Sequence, residues 1–570
     1  MSPSCRDILV FLFYSTMQRI YSLIVCLLLA LTSFAVPARK GAFIAKQPDG
    51  TKITLYNHGD ESFHYLTNEQ GQHIIQNAEG TYCVAPTDID SLQRICAKRK
   101  NPHHNKPQTL NLNFAQRGLI ILANFTNQSF QPENNAETLY DMYNGINYTY
   151  NGATGSARQY FTDQSMGAYV PQFDIVGPID LPYDMEYYGA NNRAGNDLRP
   201  QYAIRDACLK AKELYNIDFS QYDCDNDGSV DFVFLVYAGH NEAEGASTTT
   251  IWPHAWNMQD AGLYVTIDNK LLGRYACTSE LRDNQGTERA GIGTFCHEFG
   301  HVLGLPDLYA TNNQKIKTQG AWDIMDYGPY NNNGRTPPAY SAYERFFLGW
   351  TRPLLLNQPA NHYIREIQSS NACGMITETG NSNLVGISPN PATFYLIENR
   401  QQTGWDTYLP GHGLMITKVQ FDEDYWAGNI VNNEANNLRI ELIKAAPNDD
   451  YNLDTITDLF PAGKTQYIPN YRYPLLNIQE ENDIISFQFM TGGDTTEITF
   501  NKKDEIEQAA QNELFTLENS CLHVIAELSE PIRIFNTIGQ EIYCGNNRNI
   551  PLSRGIYFVL LNKKSYKICN

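Results

Sequence analysis

The stretch that decides the fold is GTFCHEFGHVLGLPD, residues 293–307. Successive residues of an α-helix turn by about 100°, so His297 and His301 would lie one turn apart on the same face. Two imidazoles at this spacing can bind one Zn²⁺, and Glu298 beside them can reach a water on the metal. The spacing therefore predicts a helical zinc site with Glu298 as general base.

The other side of this helix is apolar. A core-facing stripe is formed by Ile292, Phe295, Phe299, Val302 and Leu303. Gly304 can adopt the positive φ that ends a helix, and Pro306 prevents the helix from resuming. The turned chain can then bring Asp307 back to the metal as a third ligand.

Composition excludes several classes of protein. The chain has 570 residues, of which 42% are hydrophobic and 12% aromatic, so wholesale disorder is excluded. This length corresponds to about three or four folding units. The net charge is −20, which repels phosphate backbones, so we expect no nucleic-acid partner. The twelve cysteines show no zinc-finger spacing, and their pairing cannot be inferred from the sequence.

The amino terminus has the pattern of an export signal. An apolar run, residues 20–35, follows Arg19 and ends in Ser33-Phe34-Ala35, which supplies the small residues that a signal peptidase needs. We assign residues 1–38 to a signal peptide region, in which Met17 is a candidate for the true start. A membrane anchor is the alternative. The protein is therefore expected to be secreted or held at the cell surface.

The remainder divides into four predicted segments. Residues 39–110 form a β-rich pro-region that ends in a basic bridge, residues 98–107, open to a trypsin-like or Arg/Lys-specific protease; a permanent β-domain is the alternative. Residues 111–357 are the predicted catalytic domain, in which residues 119–125 form a buried strand. A β-rich accessory domain spans 358–510, and a C-terminal β-sandwich spans 511–570.

A second metal site is predicted upstream. Asp223, Asp225, Asp227 and Asp231 alternate around the turn-forming Gly228, a pattern suited to oxygen ligation of Ca²⁺. The loop lacks the Glu that closes an EF-hand, because Phe234 occupies that position. An acidic surface turn is the alternative to a structural calcium site.

The zinc motif also carries a family resemblance. HEFGHVLGLPD resembles the extended zinc signature of metzincin peptidases, with Asp where most have a third His, and residues 320–328, GAWDIMDYG, resemble their Met-turn, with Met325 at its centre. Together with weaker matches between Gly118 and Trp350, these motifs resemble the immune inhibitor A-like peptidases, family M6.

The resemblance implies a fold and an activity. It implies an α+β, metzincin-like zinc peptidase domain, with a twisted sheet and an active-site helix, followed by β-sandwich domains. It further implies a secreted zinc-dependent endopeptidase, expected to be a monomer, that hydrolyses proteins and peptides through a zinc-bound water. Asp307 is then the third ligand, although a rival architecture would recruit Glu344 from a separate helix. Tyr327 either donates to the oxyanion or is a packed tyrosine.

Two other functions stay open. One is a zinc amidase or deacylase acting on cell-wall material, and the other is a surface binding protein whose zinc site is inactive. The intact Glu298 argues against the inactive protein. The Met-turn resemblance favours peptide substrates over cell-wall amides.

The C-terminal segment predicts an export route. Short alternating runs at residues 532–543, 550–559 and 565–568 resemble the C-terminal sorting domain of the type IX secretion system. This resemblance implies that the secretion machinery is a partner of the C-terminal domain. An ordinary binding module is the alternative.

Overall fold

The structure is a computed structural model of the chain. It describes residues 36–61, 63–77, 79–86, 115–192, 195–446, 454–469, 473–499, 515–518, 521–524, 531–536, 541–551, 556–561 and 564–569. Most of the predicted signal peptide, the basic bridge at 98–107 and several turns of the C-terminal segment lie outside these residues. Within the described part of the chain, no helix is long and apolar enough to cross a membrane.

The first described element is an antiparallel sheet. Its five strands follow one another in chain order: β1 (Ala42–Lys46), β2 (Lys52–Asp60), β3 (Phe63–Thr67), β4 (His73–Gln76) and β5 (Tyr82–Val84). Ala45, Leu55 and Ile74 form its small apolar core. This sheet, called the N-terminal sheet below, agrees with the β-rich character expected of residues 39–110.

A second, mainly parallel sheet forms the centre of the molecule. The chain here runs through β6 (Arg117–Asn124), α1 (Ala136–Asn144), α2 (Ala157–Gln164), β7 (Gln172–Asp180), α3 (Met185–Gly189), α4 (Pro200–Tyr215), β8 (Ser229–Val230), β9 (Val233–Tyr237), β10 (His254–Asn257), β11 (Thr266–Ile267), β12 (Lys270–Leu272) and β13 (Arg274–Ser279). The central strands lie in the order β10-β13-β9-β6-β7, and only β10 is antiparallel to its neighbour. A small side sheet has the order β11-β12-β8.

Strand β6 shows why this sheet is buried on both faces. Ile120 and Leu122 belong to one hydrophobic core, whereas Leu119 and Ile121 belong to another on the opposite face. The alternation follows from the two-residue repeat of a strand. The prediction of a buried strand over 119–125 is confirmed, except that β6 ends at Asn124.

Helix α5 (Gly293–Val302) packs against β13 and β10. All five residues of the predicted apolar stripe lie in the first of these cores. Phe299 is surrounded by aromatic rings, with centroid distances of 4.8 Å to Phe161 and 5.0 Å to Phe232. The predicted helix and its buried face are therefore confirmed, and the opposite side of α5 carries the two histidines.

The chain continues through α6 (Ala342–Phe347) into further antiparallel strands. These elements are β14 (Leu354–Leu355), β15 (Ala360–Ile364), α7 (Ile367–Ser370), β16 (Gly374–Thr377), β17 (Thr393–Arg400), β18 (Gly413–Gln420), α8 (Glu423–Ala427), β19 (Ile440–Leu442), β20 (Leu475–Glu481), β21 (Ile484–Phe489) and β22 (Thr495–Ile498). They form two sheets, β14-β16-β17-β18-β19 and β20-β21-β15-β22.

The strands after residue 357 share a core with the predicted catalytic domain. Phe394, Leu396 and Val419 lie in the same hydrophobic cluster as Phe295 and Phe299 of α5. The predicted boundary between residues 357 and 358 is therefore not a gap between compact units. The chain instead divides into one unit that ends at Thr499 and another that begins at Phe500.

The second unit contains seven described strands. They are β23 (Phe515–Glu518), β24 (Cys521–Val524), β25 (Ile532–Asn536), β26 (Glu541–Gly545), β27 (Asn549–Pro551), β28 (Ile556–Leu561) and β29 (Lys564–Cys569). Antiparallel pairing joins them into sheets of order β23-β24-β27 and β26-β25-β28-β29. The expected β-rich character is present, and a mixed α+β chain with few helices agrees with the predicted class.

Candidate active site

The two histidines of α5 present their Nε2 atoms to each other. These atoms are 3.1 Å apart, and the imidazole planes are nearly perpendicular. Nδ1 of His297 lies 2.7 Å from the carbonyl oxygen of Ile324, and Nδ1 of His301 lies 2.8 Å from that of Leu305. Because a carbonyl oxygen only accepts, we assign the hydrogen to Nδ1 in both rings. Each Nε2 then presents a lone pair.

Asp307 completes the group. Its Oδ1 lies 3.2 Å from Nε2 of His297 and 3.3 Å from Nε2 of His301. The chain returns through Gly304, whose φ of +99° is the left-handed conformation predicted from the sequence. The amide of Leu305 donates to the carbonyl of Gly300 at 3.0 Å and closes this turn.

The three atoms fit the ligand set of a zinc ion. Zn²⁺ bonds to N and O ligands at about 2.0–2.1 Å, so two ligands at a tetrahedral angle lie about 3.3 Å apart. The observed separations of 3.1–3.3 Å match this value. No hydrogen separates the facing lone pairs, and all three residues are buried. The three lone pairs therefore repel one another, and a cation bound between them would remove this repulsion by accepting all three as ligands.

Glu344, the rival third ligand, lies in a different arrangement. Its Oε2 accepts a hydrogen bond from the amide of Ser341 at 2.6 Å, which is the capping box of α6. The group of residues able to hold a metal here contains His297, Glu298 and His301, with Asp307 beside it. The structure thus brings Asp307 to the histidines and uses Glu344 to cap a helix.

Asn429 contacts Asp307 from a distant part of the chain. Its Nδ2 donates to Oδ2 of Asp307 at 2.6 Å, and its Oδ1 accepts from the amide of Asp307 at 2.7 Å. These two bonds leave Oδ1 of Asp307 directed at the histidines. Sequence reasoning missed Asn429, because it lies 122 residues downstream in a turn after α8 that has no motif of its own.

Met325 lies directly below the helix. It is fully buried, and its carbonyl accepts from the amide of Leu308 at 2.8 Å. A Cβ at Gly300 would lie 2.6 Å from Sδ of the buried Met325, so a larger residue there would force Met325 to shift. The turn containing Met325 therefore supports both α5 and the chain that leads back to Asp307.

Tyr327 is almost entirely buried near this turn. The ammonium of Lys40 lies 3.9 Å from the centroid of its ring, and the ring of Tyr309 lies 6.5 Å away. Tyr327 is therefore a packed tyrosine whose ring makes a cation–π contact with Lys40. These contacts leave its predicted role as an oxyanion donor untested.

Glu298 is fully buried beside the two histidines. Burial raises the pKa of its carboxyl group, the nearby Asp307 raises it further, and a hydrogen bond from Val36 opposes both. That bond joins the amide of Val36 to Oε1 at 3.0 Å. Oε2 has no hydrogen-bond partner among the described residues. Glu298 therefore has one oxygen engaged by the N-terminal part of the chain.

Residues 36–40, called the N-terminal segment below, cover Glu298. Val36 and Ala38 are each 1% exposed. Nε1 of Trp252 donates to the carbonyl of Val36 at 3.1 Å, and the hydroxyl of Tyr330 donates to the carbonyl of Pro37 at 2.7 Å. The segment is therefore held by its main chain between Glu298, Trp252 and Tyr330, and the space that these three residues line is called the cleft below.

The N-terminal sheet is attached beside this segment. Nε2 of His64 lies 3.0 Å from Oε1 of Glu242, and its ring stacks on Trp252 at 4.5 Å. Burial alone would lower the pKa of His64, but Glu242, and more weakly Asp197, raise it to about 9. A charged histidine thus joins the sheet to the wall of the cleft.

The predicted calcium loop is partly assembled. Three carboxylate oxygens, one each from Asp223, Asp225 and Asp227, lie within 4.8 Å of one another. Oδ1 of Asp223 is buried and has no hydrogen-bond partner among the described residues. Oδ2 of Asp223 is paired with Lys270 at 2.5 Å. Asp231 lies outside this group, because its Oδ2 accepts from the amides of Ala115 and Cys224.

Comparison with known proteins gives an independent view of this region. Residues 120–351 match the family model of the immune inhibitor A peptidase M6 catalytic domain. The pre-pro-metalloprotease PrtV of Vibrio cholerae is 25% identical over 302 residues, covering 45% of this chain and 32% of PrtV. Immune inhibitor A of Bacillus thuringiensis is 26% identical over 224 residues, covering 34% of this chain and 31% of that protein.

The chain thus spans about a third of the length of the curated relatives that it matches. The family match includes α5, Asp307 and Met325, and ends just after α6. Residues 120–351 are therefore similar to an M6 metallopeptidase catalytic domain, which confirms the sequence-based prediction of a metalloendopeptidase, a hydrolase, for this part of the chain.

Proposed function

We propose that the protein is a secreted, zinc-dependent endopeptidase, synthesised in a latent form. The observation that carries the proposal is the convergence of Nε2 of His297, Nε2 of His301 and Oδ1 of Asp307 beside the buried Glu298. The similarity to the M6 catalytic domain supports the same assignment. A cleft that holds the main chain of residues 36–38 supports a polypeptide substrate.

Each residue of the site has a distinct role in this proposal. His297, His301 and Asp307 would hold a zinc ion, which would supply the Lewis acidity that makes a water molecule more acidic and a scissile carbonyl more electrophilic. Glu298 accepts the proton of the attacking water and delivers it to the leaving amine. The carbonyls of Ile324 and Leu305 fix the imidazoles, and Asn429 fixes Asp307.

Latency follows from the position of the N-terminal segment, which stays in the exported chain when signal peptidase cleaves after Ala35. The segment buries Glu298 and binds one of its oxygens, so water and substrate are excluded from the general base. Activation then requires that the segment and the N-terminal sheet leave the cleft. Cleavage within residues 98–107, which lie outside the described residues, would separate this part from the catalytic region.

Two further predicted features, the calcium loop and the C-terminal domain, have roles in stability and in export. The loop of Asp223, Asp225 and Asp227 binds a stabilising Ca²⁺ that displaces Lys270. Residues 511–570, which lie in the second compact unit, form the sorting domain recognised by the type IX secretion machinery.

Replacing the general base tests the mechanism. Glu298→Gln keeps the size of the side chain but removes its ability to accept a proton, so chelator-sensitive hydrolysis of casein by the processed enzyme should fall about 10²–10⁴-fold. Zinc content, measured by atomic absorption, should stay near one ion per chain. The matched control is Glu137→Gln, an exposed glutamate in α1. Full activity of Glu298→Gln would contradict the assignment.

Removing the clamp on Asp307 tests the ligand set. Asn429→Ala leaves Oδ2 of Asp307 without its donor, and loss of such a partner weakens metal binding by about 10–100-fold. Competition with a chromophoric chelator measures the zinc dissociation constant directly. Asn436→Ala, at an exposed position of the same stretch, is the control. An unchanged dissociation constant in Asn429→Ala would argue against Asp307 as a ligand.

The His64–Glu242 pair predicts a pH dependence of the latent form. A pKa raised from 6.5 to about 9 stabilises the folded chain by about 3 kcal/mol below pH 6.5, and this contribution is lost as the pH rises through 9. The urea midpoint should therefore fall more steeply between pH 7 and 10 in the wild type than in His64→Gln. His73→Gln, on strand β4, is the control. Parallel pH profiles for wild type and His64→Gln would refute this pairing.

The calcium loop is tested by thermal unfolding. Excess Ca²⁺ should raise the melting temperature relative to a calcium-selective chelator, because an ion that binds only the folded state stabilises it. Asp225→Asn should abolish the increase, whereas Asp141→Asn, exposed on α1, should retain it. Equal melting temperatures in calcium and chelator would leave the acidic surface turn as the correct interpretation.

A further inference from the structure

The N-terminal segment places a basic side chain in an acidic part of the cleft. Arg39 lies three residues after Val36, whose amide is bound by Glu298. Nη1 of Arg39 pairs with Oε2 of Glu244 at 3.4 Å and also with Asp283. Its own amide donates to the carbonyl of Ala243 at 3.0 Å. Arg39 is thus held at both its main chain and its side chain.

The acidic pair is fixed by contacts that do not involve Arg39. Oε2 of Glu244 accepts from the amide of Asp283 at 3.0 Å, and Oε1 accepts from Nδ2 of Asn241 at 3.3 Å. Asn241 is itself buried and donates to Oγ of Ser279 at 2.7 Å. The carboxylate of Glu244, only 10% exposed, therefore keeps its orientation when Arg39 is absent.

The local charge balance favours a cation in this position. Arg282 is the nearby positive group, with Nη2 at 3.0 Å from Oδ2 of Asp283, but its Nη1 is also paired with Glu288 at 2.9 Å. Nδ1 of His240 faces the carbonyls of Arg282 and Asp283. When the N-terminal segment leaves, Glu244 loses its guanidinium partner but keeps its hydrogen bonds to the amide of Asp283 and to Asn241. A substrate cation would restore the lost pairing.

The segment also shows how a substrate chain would be placed. In the proposed reaction Glu298 delivers a proton to the leaving amine, and in the structure Glu298 binds the amide nitrogen of Val36. Val36 therefore stands where the first residue after the scissile bond would lie. Trp252 and Tyr330 donate hydrogen bonds to the main-chain carbonyls of Val36 and Pro37. Because every residue has such a carbonyl, these two hydrogen bonds do not select a substrate sequence. Counting from Val36, Arg39 is the fourth residue after the bond.

We propose that Glu244 and Asp283 form a specificity subsite for a basic side chain at the fourth residue after the scissile bond. The substrate class is then proteins with Arg or Lys at that position. This inference rests on the proposed endopeptidase function and adds its sequence preference.

Three internally quenched peptides test the subsite on the processed enzyme, from which the N-terminal segment has been removed. They share one cleavable sequence and carry Arg, citrulline or Ala at the fourth residue after the bond. Citrulline has the shape of arginine without its charge, so the Arg/citrulline ratio of kcat/KM isolates the charge. We expect a ratio of about three to ten, the value of a partly buried charged pair, and a fall to about one in Glu244→Gln/Asp283→Asn.

Glu288→Gln is the matched control. It removes a neighbouring carboxylate that binds Arg282 and Arg335 but not Arg39, and it should keep the preference for Arg. Loss of the preference in this variant as well would assign it to the general field of the surface and overturn a direct subsite. Thermal unfolding of each variant verifies that the fold is intact.

The outcomes separate this inference from the proposed function. Chelator-sensitive cleavage of all three peptides at equal rates, or an Arg preference that survives in Glu244→Gln/Asp283→Asn, overturns the subsite and leaves the endopeptidase intact. Absence of chelator-sensitive cleavage of these peptides and of casein overturns both. A preference for Arg that disappears only in Glu244→Gln/Asp283→Asn supports the subsite.

Discussion

Three acceptor atoms held 3.1–3.3 Å apart in a buried site are the constraint on which this structure depends. Facing lone pairs repel one another, so the surrounding structure must hold them until a cation is bound. The aromatic core under α5 fixes the helix, and backbone carbonyls fix both imidazoles. The site is rigid because each of these supports belongs to a packed core or a main-chain turn and none to an exposed side chain.

The supports extend well beyond the zinc motif. Gly300 lets α5 rest on Met325, and Asn429 reaches Asp307 from the turn after α8. That turn lies among the strands that follow residue 357. These strands also share their hydrophobic core with α5. A catalytic domain cut at residue 357 would therefore lose both a part of its core and the clamp on Asp307. The region described from sequence as an accessory domain is a component of the site.

The sequence predicted those features that depend only on residues close together in the chain. The helix, its apolar stripe, the turn at Gly304 and the buried strand β6 each follow from periodicity or from one residue's conformational range. Asn429 and the position of Val36 could not be predicted in this way. Each depends on a contact spanning 122 or 262 residues, and nothing in the neighbouring sequence distinguishes an asparagine or valine that makes such a contact.

Among the described residues, the N-terminal part shares no hydrophobic core with the central sheet. The N-terminal sheet has its own core of Ala45, Leu55 and Ile74, separate from the two cores of the central sheet. The apolar contact across the cleft is a small cluster around Trp252 that includes Val36 and Ala38. Polar contacts supply much of the remaining attachment: Asn57 donates to the carbonyl of Glu242, Gln314 donates to the carbonyl of Gly59, and His64 pairs with Glu242. Neither core of the central sheet contains a described residue of the N-terminal part, so the proposed activation would leave both cores closed.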